Sequence, residues 1–167
     1  MKKAKTKQSE LQKVQAYLNS QHVPCSCSKK GVLEFTCNNL EGVGTPVKVT
    51  GIDGALGIVA ISDIKTKAQQ RFDVLSLINL FNFYNCALYS NIPIAMEPET
   101  NTIVAKGYVL TGDDNWNGDI TYASESIAQA LTEFTDYLQP LADGTEDYNS
   151  AAQGIVDELT DQEDNGE

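Results

Sequence analysis

The run Val74-Leu75-Ser76-Leu77-Ile78-Asn79-Leu80-Phe81-Asn82-Phe83-Tyr84 constrains this chain more than any other segment. Wound as a helix from about Thr66 to Asn85, it is apolar almost all round. One face of such a helix packs on a sheet. The opposite face needs a cover as well, from the same chain or from another polypeptide. A subunit interface is the economical cover, and Leu77, Leu80, Phe81 and Tyr84 are the side chains expected in it.

The flanking segments supply the rest of a fold. Leu11, Val14 and Leu18 recur at i, i+3 and i+7 and predict a first helix over Ser9–Gln21, capped by Ser9 and stopped by Pro24. A hairpin follows. A three-residue turn at Lys29-Lys30-Gly31 would set Cys27 opposite Leu33, Cys25 opposite Phe35 and Val23 opposite Cys37, with every odd residue inward. Thr45–Thr50 and Ala55–Asp63 read as two further strands joined by Gly51-Ile52-Asp53-Gly54.

After the oily helix, Ile92, Ile94 and Met96 alternate, Glu97–Asn101 turns, and Ile103–Leu110 returns as a second antiparallel pair. Ile127, Leu131, Phe134 and Leu138 form the stripe of a third helix, starting near Thr121 or Ser124 and ending by Pro140. Beyond Asp143-Gly144 the chain turns polar. There Ala152, Ile155, Val156 and Leu159 suffice for a short helix weakened by Gly154. The order is α-βββ-α-ββ-α plus a tail, a single α+β domain. Residues 1–8 are a basic flexible terminus, 9–142 the domain and 143–167 an acidic tail.

Charge narrows the function. The net charge is −11, and residues 111–167 hold fifteen acids and no base, while residues 1–30 hold seven lysines and one acid. An acidic third of this kind repels phosphate and argues against nucleic acid as a partner. An acidic decoy for a nucleic-acid-binding protein is a weaker reading of the same excess. No apolar run approaches the roughly 20 residues of a membrane span. The lysine-rich start leads into Gln8-Ser9-Glu10-Leu11-Gln12 instead of a signal-peptide core, so a cytoplasmic protein is expected.

Reactive chemistry has little support. His22 is the only histidine and Arg71 the only arginine, and no phosphate loop, nucleophile elbow or zinc-protease motif is present. An enzyme is not expected. His22-x2-Cys25-x-Cys27-x9-Cys37 admits a zinc reading, but one Cys-x-Cys lacks the paired knuckles of structural zinc sites. Cysteines filling the inward hairpin face as small apolar groups, with Cys86 buried elsewhere, are the alternative. Asp113-Asp114-Asn115-Trp116-Asn117-Gly118-Asp119-Ile120-Thr121 matches much of a calcium loop. Asp113, Asn115 and Asn117 would be oxygen ligands, Asp119 a carbonyl donor and Gly118 the sharp turn. Ser124 stands where the bidentate Glu belongs, so the only cofactor in view is weakly bound calcium, and a polar strand-to-helix connection is the alternative.

The segment Leu75-Ser76-Leu77-Ile78-Asn79-Leu80-Phe81-Asn82, the strand pair after it and the ending Phe134-Thr135-Asp136-Tyr137-Leu138-Gln139-Pro140-Leu141 resemble the YbjN-like family. That family is described as bacterial sensory transduction regulators, within the wider type III secretion chaperone-like fold. The resemblance spans residues 10–142 and lies in element order, size and acidity. It implies a cytoplasmic, non-enzymatic homodimer that binds other proteins, as a chaperone or regulatory adaptor. The mid-chain helix would form the dimer contact, and the family carries no catalytic residues to transfer.

Overall fold

A computed structural model describes the backbone at residues 2–38, 42, 44–88, 92–112 and 116–164. Side chains are described there except at 2–9, 86–88, 117 and 159–164. The protein is α+β, with a six-stranded antiparallel sheet and four helices. In chain order these are α1 (Lys2–Ser20), β1 (Cys25–Cys27), β2 (Val32–Asn38), β3 (Gly44–Ile52), β4 (Ala55–Ile61), α2 (Arg71–Leu88), β5 (Ile94–Met96), β6 (Ile103–Leu110), α3 (Trp116–Asp143) and α4 (Tyr148–Asp164). The strands run β1-β2-β3-β4-β6-β5 across the sheet. The block between α1 and α2 holds four strands, the short β1 included. Contacts divide the chain into two compact units, Met1–Ile61 with Lys106–Gln129, and Ser62–Ala105 with Ala130–Glu167.

In the first unit α1 buries Leu11, Val14 and Leu18, the expected stripe, against β1, β2 and β3. Its helix starts at Lys2 rather than near Ser9, so the basic terminus continues the helix. The hairpin has the expected register, with Cys25 opposite Phe35 and Cys27 opposite Leu33. Ser28 and Val32 close it by a backbone bond of 2.8 Å. Gly31, at φ 72°, supplies the left-handed residue that a three-residue turn needs. Pairing stops at Cys25 because Pro24 has no N–H to donate. Leu33, Phe35 and Cys37 are buried as expected, but Cys25 is half-buried and Cys27 exposed, at the end of a three-residue edge strand.

The inner face continues through Val47 and Val49 of β3 and Leu56, Ile58 and Ala60 of β4. The first half of α3 lies beside β2 and β6, with Thr121, Ser124 and Glu125 near Phe35 and Cys37. At Gly107 a Cβ would lie 2.5 Å from Ile127 Cδ1, so a larger residue there would force the Ile127 side chain to shift. Trp116, Ile120 and Ile127 are buried. This helix begins five residues before Thr121, because Ile120 and Trp116 extend the apolar stripe backwards from Ile127 by two and three turns.

The second unit is built on α2, which follows a 3₁₀ turn at Ala68–Gln70. Val74, Leu77, Ile78 and Phe81 are buried on one side. Phe81 meets Phe134 edge-on at 5.2 Å, and α4 packs along α2 and buries Ala151 and Ile155. The acidic tail is therefore a 17-residue helix that belongs to the core. Asp147 caps it by accepting the Ser150 N–H at 2.9 Å, a bond that holds its carboxyl below the usual range. Gly154, expected to weaken this segment, lies within the helix against Tyr137, where a Cβ would stand in ordinary contact with the ring at 3.6 Å.

Helix α3 runs through Pro140 to Asp143 instead of ending at the proline. Leu141 and Ala142 are buried, Gln70 donates to the Leu141 carbonyl at 2.7 Å, and Gly144 at φ 76° closes the helix end. These contacts outweigh the hydrogen bond that Pro140 forfeits.

Candidate functional site

Helix α2 divides its surface sharply. Residues Val74, Leu77, Ile78, Phe81 and Asn85 face inward, spaced three and four apart. Phe72, Ser76, Asn79 and Phe83 fall at i, i+4, i+7 and i+11 on the opposite side, and all four are exposed. Phe72 is 84% exposed and Phe83 69%, the latter packed only edge-on against Tyr84 at 5.2 Å. Leu75 and Leu80, half-buried, flank this stripe on either side. Largely exposed aromatic rings in register on one helix are the side chains for which burial by a partner returns most.

The four residues expected at an interface separate accordingly. Leu77 and Phe81 point into the chain's own core, a correction set by helical phase, since they lie about half a turn from the exposed stripe. Leu80 and Tyr84 stay half-open beside it. Phe72 and Phe83 carry the exposed face and were not among the expected residues. Their i, i+11 spacing was the available signal. It was hidden because a helix apolar all round does not say which side α4 will cover.

Two asparagines of α2 act on the neighbouring strand. Asn82 donates from Nδ2 to the Ile94 carbonyl and accepts the Ile94 N–H at Oδ1, both at 2.8 Å. The amide thus takes the place of a further strand along the outer edge of β5. Asn85, buried, donates to the Ile92 carbonyl at 3.3 Å. Arg71 donates to Asn101 Oδ1 at 2.8 Å and tethers the turn between β5 and β6 to the start of α2.

In the first unit, a recess of about 330 Å³ is lined by Tyr17, Leu18, Val23, Phe35, Cys37 and Glu125, among others. Tyr17 and Thr121 join hydroxyls across it at 3.2 Å. Burial pushes the Cys37 thiol up to about 11, and the Glu125 carboxylate adds to the effect. Cys25 is also raised, by burial and by Cys27. Both are held as thiols, the form that is neither nucleophile nor metal ligand. Exposed Ile52, Tyr108 and Leu110 lie in this unit too.

The backbone around the histidine of the zinc reading closes α1. His22 adopts φ 60° just past α1, where its N–H bonds the Asn19 carbonyl and the Val23 N–H reaches Leu18 at 2.9 Å, a helix-closing motif. Cys25 Sγ lies 3.5 Å from Asn19 Oδ1, against α1. Among the described residues, no three His, Cys, Asp or Glu side chains gather as a metal site. Of the calcium-loop ligands, Asp113 and Asn115 lie outside the described residues, as does the side chain of Asn117. Gly118 and Asp119 are helical, in the first turn of α3, so the sharp turn and outward carbonyl that a calcium loop requires are not formed there. Among the described residues, no helix is long and apolar enough to cross a membrane.

Compared with known protein families, characterised proteins and solved structures, the chain matches none.

Proposed function

We propose that this protein acts by binding other polypeptides, not by catalysis, and that it works as a homodimer whose copies meet through α2. The observation that carries this reading is the exposure of Phe72 and Phe83 on a single stripe of a helix whose other side is fully packed. Two solvated aromatic rings in line are costly to leave open and characteristic of contact surfaces. Ser76 and Asn79 between the rings are uncharged, exposed Arg71 and Asp73 lie beside Phe72, and the acids of the chain concentrate after residue 110. A self-contact here avoids the repulsion that two acidic chains would meet elsewhere.

The resemblance to the YbjN-like family supports the same reading, since its mid-chain helix is the expected dimer contact. It adds the roles of chaperone or regulatory adaptor, in the cytoplasm, with a protein client.

Light scattering across a dilution series tests the reading. Wild-type protein should pass from one chain to two with rising concentration, and Phe83→Glu should remain a single chain throughout. A wild type that stays monomeric into the millimolar range would remove the homodimer, and with it the main reason for a binding role.

A further inference from the structure

The recess of the first unit opens where the edge of the sheet stops short. Pairing of β1 with β2 ends at Cys25 and Phe35, while β2 runs on to Asn38. The gap beyond is walled by the end of α1, through Tyr17 and Leu18, and by the early turns of α3, through Thr121 and Glu125. Its volume of about 330 Å³ lies at the small end of the range of about 300–1,000 Å³ that ligand pockets span. We propose that this recess binds a small organic cation, an ammonium group carried on an apolar body the size of a phenyl ring.

Leu18, Val23 and Phe35 give the recess an apolar side. Oxygen acceptors stand beside it. Thr121 donates its hydroxyl to Tyr17 at 3.2 Å, and each of the two oxygens keeps a lone pair for a further donor. The Thr36 carbonyl joins them through the alternation of an antiparallel pair. Ser28 donates to the Val32 carbonyl at 2.8 Å, and every second residue of β2 repeats that orientation, so Thr36 turns its carbonyl toward the open edge. Pro24, next in register there, has no N–H to give it.

Charge selects among the ligands that would fit. Among the described residues lining the recess, Glu125 alone is charged at neutral pH. Its carboxylate acts on the interior of the recess, where it helps to push the Cys37 thiol up. An anion would meet that carboxylate in a chain of net charge −11. A neutral ligand would gain the apolar contacts without the charge. An ammonium ion has three donors and no acceptor, the complement of a carboxylate beside hydroxyl and carbonyl oxygens. Glu125 is exposed, so this attraction is partly solvated, amounts to a severalfold preference and weakens with salt. The site belongs to the first unit alone and does not rest on the contact proposed for α2.

Phenethylamine is the probe, titrated into isotope-labelled protein and read by NMR. The amides of Thr36, Asn38, Thr121 and Glu125 should shift along one saturating curve, with a dissociation constant on the order of a millimolar for so small a ligand. Phenylethyl alcohol, the same shape without the charge, should bind at least fivefold more weakly, and phenylpropionate more weakly still. Glu125→Gln keeps the form of the side chain and should bring the amine down to the level of the alcohol. The position is exposed, so folding is spared, which circular dichroism checks, and the comparison of amine with alcohol on wild type decides the matter without the variant. Amine and alcohol binding alike would overturn the site. So would Glu125→Gln binding the amine unchanged, or shifts that do not saturate in the tens of millimolar. None of these results bears on the role proposed for α2, which light scattering decides separately.

Discussion

Replacing Ile155 with alanine removes three carbons from a side chain with no solvent exposure, in a helix whose sequence reads as an acidic tail. At about 0.8 kcal/mol for each buried methylene-sized group, transfer alone costs about 2.4 kcal/mol. The cavity left between α4 and its neighbours adds to this, giving a loss of about 3 kcal/mol, within the range of about 2–5 kcal/mol for such truncations. For a chain of 167 residues, each kcal/mol moves the midpoint by roughly 2–4 °C, so the variant should melt about 6–12 °C lower. Urea unfolding followed by circular dichroism gives the free energy directly. Val156→Ala, one position along and half-buried, is the matched control and should cost less than about 1 kcal/mol. If Ile155→Ala stayed within about 0.5 kcal/mol of wild type, α4 would not be part of the core, and the packing of α2 described above would be wrong.

His22→Gly should stabilise the protein by about 0.5–1 kcal/mol in thermal unfolding, because glycine accepts the left-handed backbone that histidine occupies at the end of α1. Cys27, exposed, should be alkylated well before Cys37 at pH 8 in mass-resolved labelling. Since folding raises the Cys37 thiol, its contribution to stability is whole below pH 9 and is lost as pH rises from 9 to about 11. Cys37→Ser, or any variant without that thiol, should show a flatter stability profile over that window. The Asp147 carboxyl is lowered instead, so its contribution is present at neutral pH and lost as pH falls below the usual carboxylate range. Asp147→Asn should keep the cap of α4 while removing that acid-side dependence, read by the pH dependence of the melting midpoint.

Much of the fold was legible because its signals are local. The hairpin register followed from one assumption about a three-residue turn, and Gly31 satisfies that turn in the structure. The stripe Leu11, Val14, Leu18 and the stripe Ile127, Leu131, Phe134, Leu138 are both buried as their spacing requires. Boundaries failed where composition pointed against helix. Asn115-Trp116-Asn117-Gly118 looks like turn chemistry, yet Trp116 and Ile120 complete a buried face that draws the start of α3 back to Trp116. Pro140 looks like a stop, yet capping by Gln70 and Gly144 carries the helix past it.

The length and packing of α4 were the larger miss. A short helix containing Ile155 was legible, but Asp157 and Glu158 are exposed, and Ala151 and Ile155 make an edge too narrow to announce a core helix of 17 residues. That edge covers part of α2 and decides which of its residues remain open. So the need for a cover was readable, but the division of the helix between Phe81, packed on Phe134, and Phe83, left in solvent, depends on tertiary packing. The exposed aromatic stripe lies on the helix that the sequence singles out, and which side of that helix stays open is set by tertiary packing.

Fluorine NMR of the protein grown with fluorinated phenylalanine tests the central claim most directly. The chain has five phenylalanines, of which Phe35, Phe81 and Phe134 are buried and Phe72 and Phe83 exposed. On dilution, the resonances of Phe72 and Phe83 should move together along one dissociation curve while the three buried rings stay fixed. If neither moves up to millimolar protein, or if the two follow different curves, the stripe on α2 is not where two copies meet.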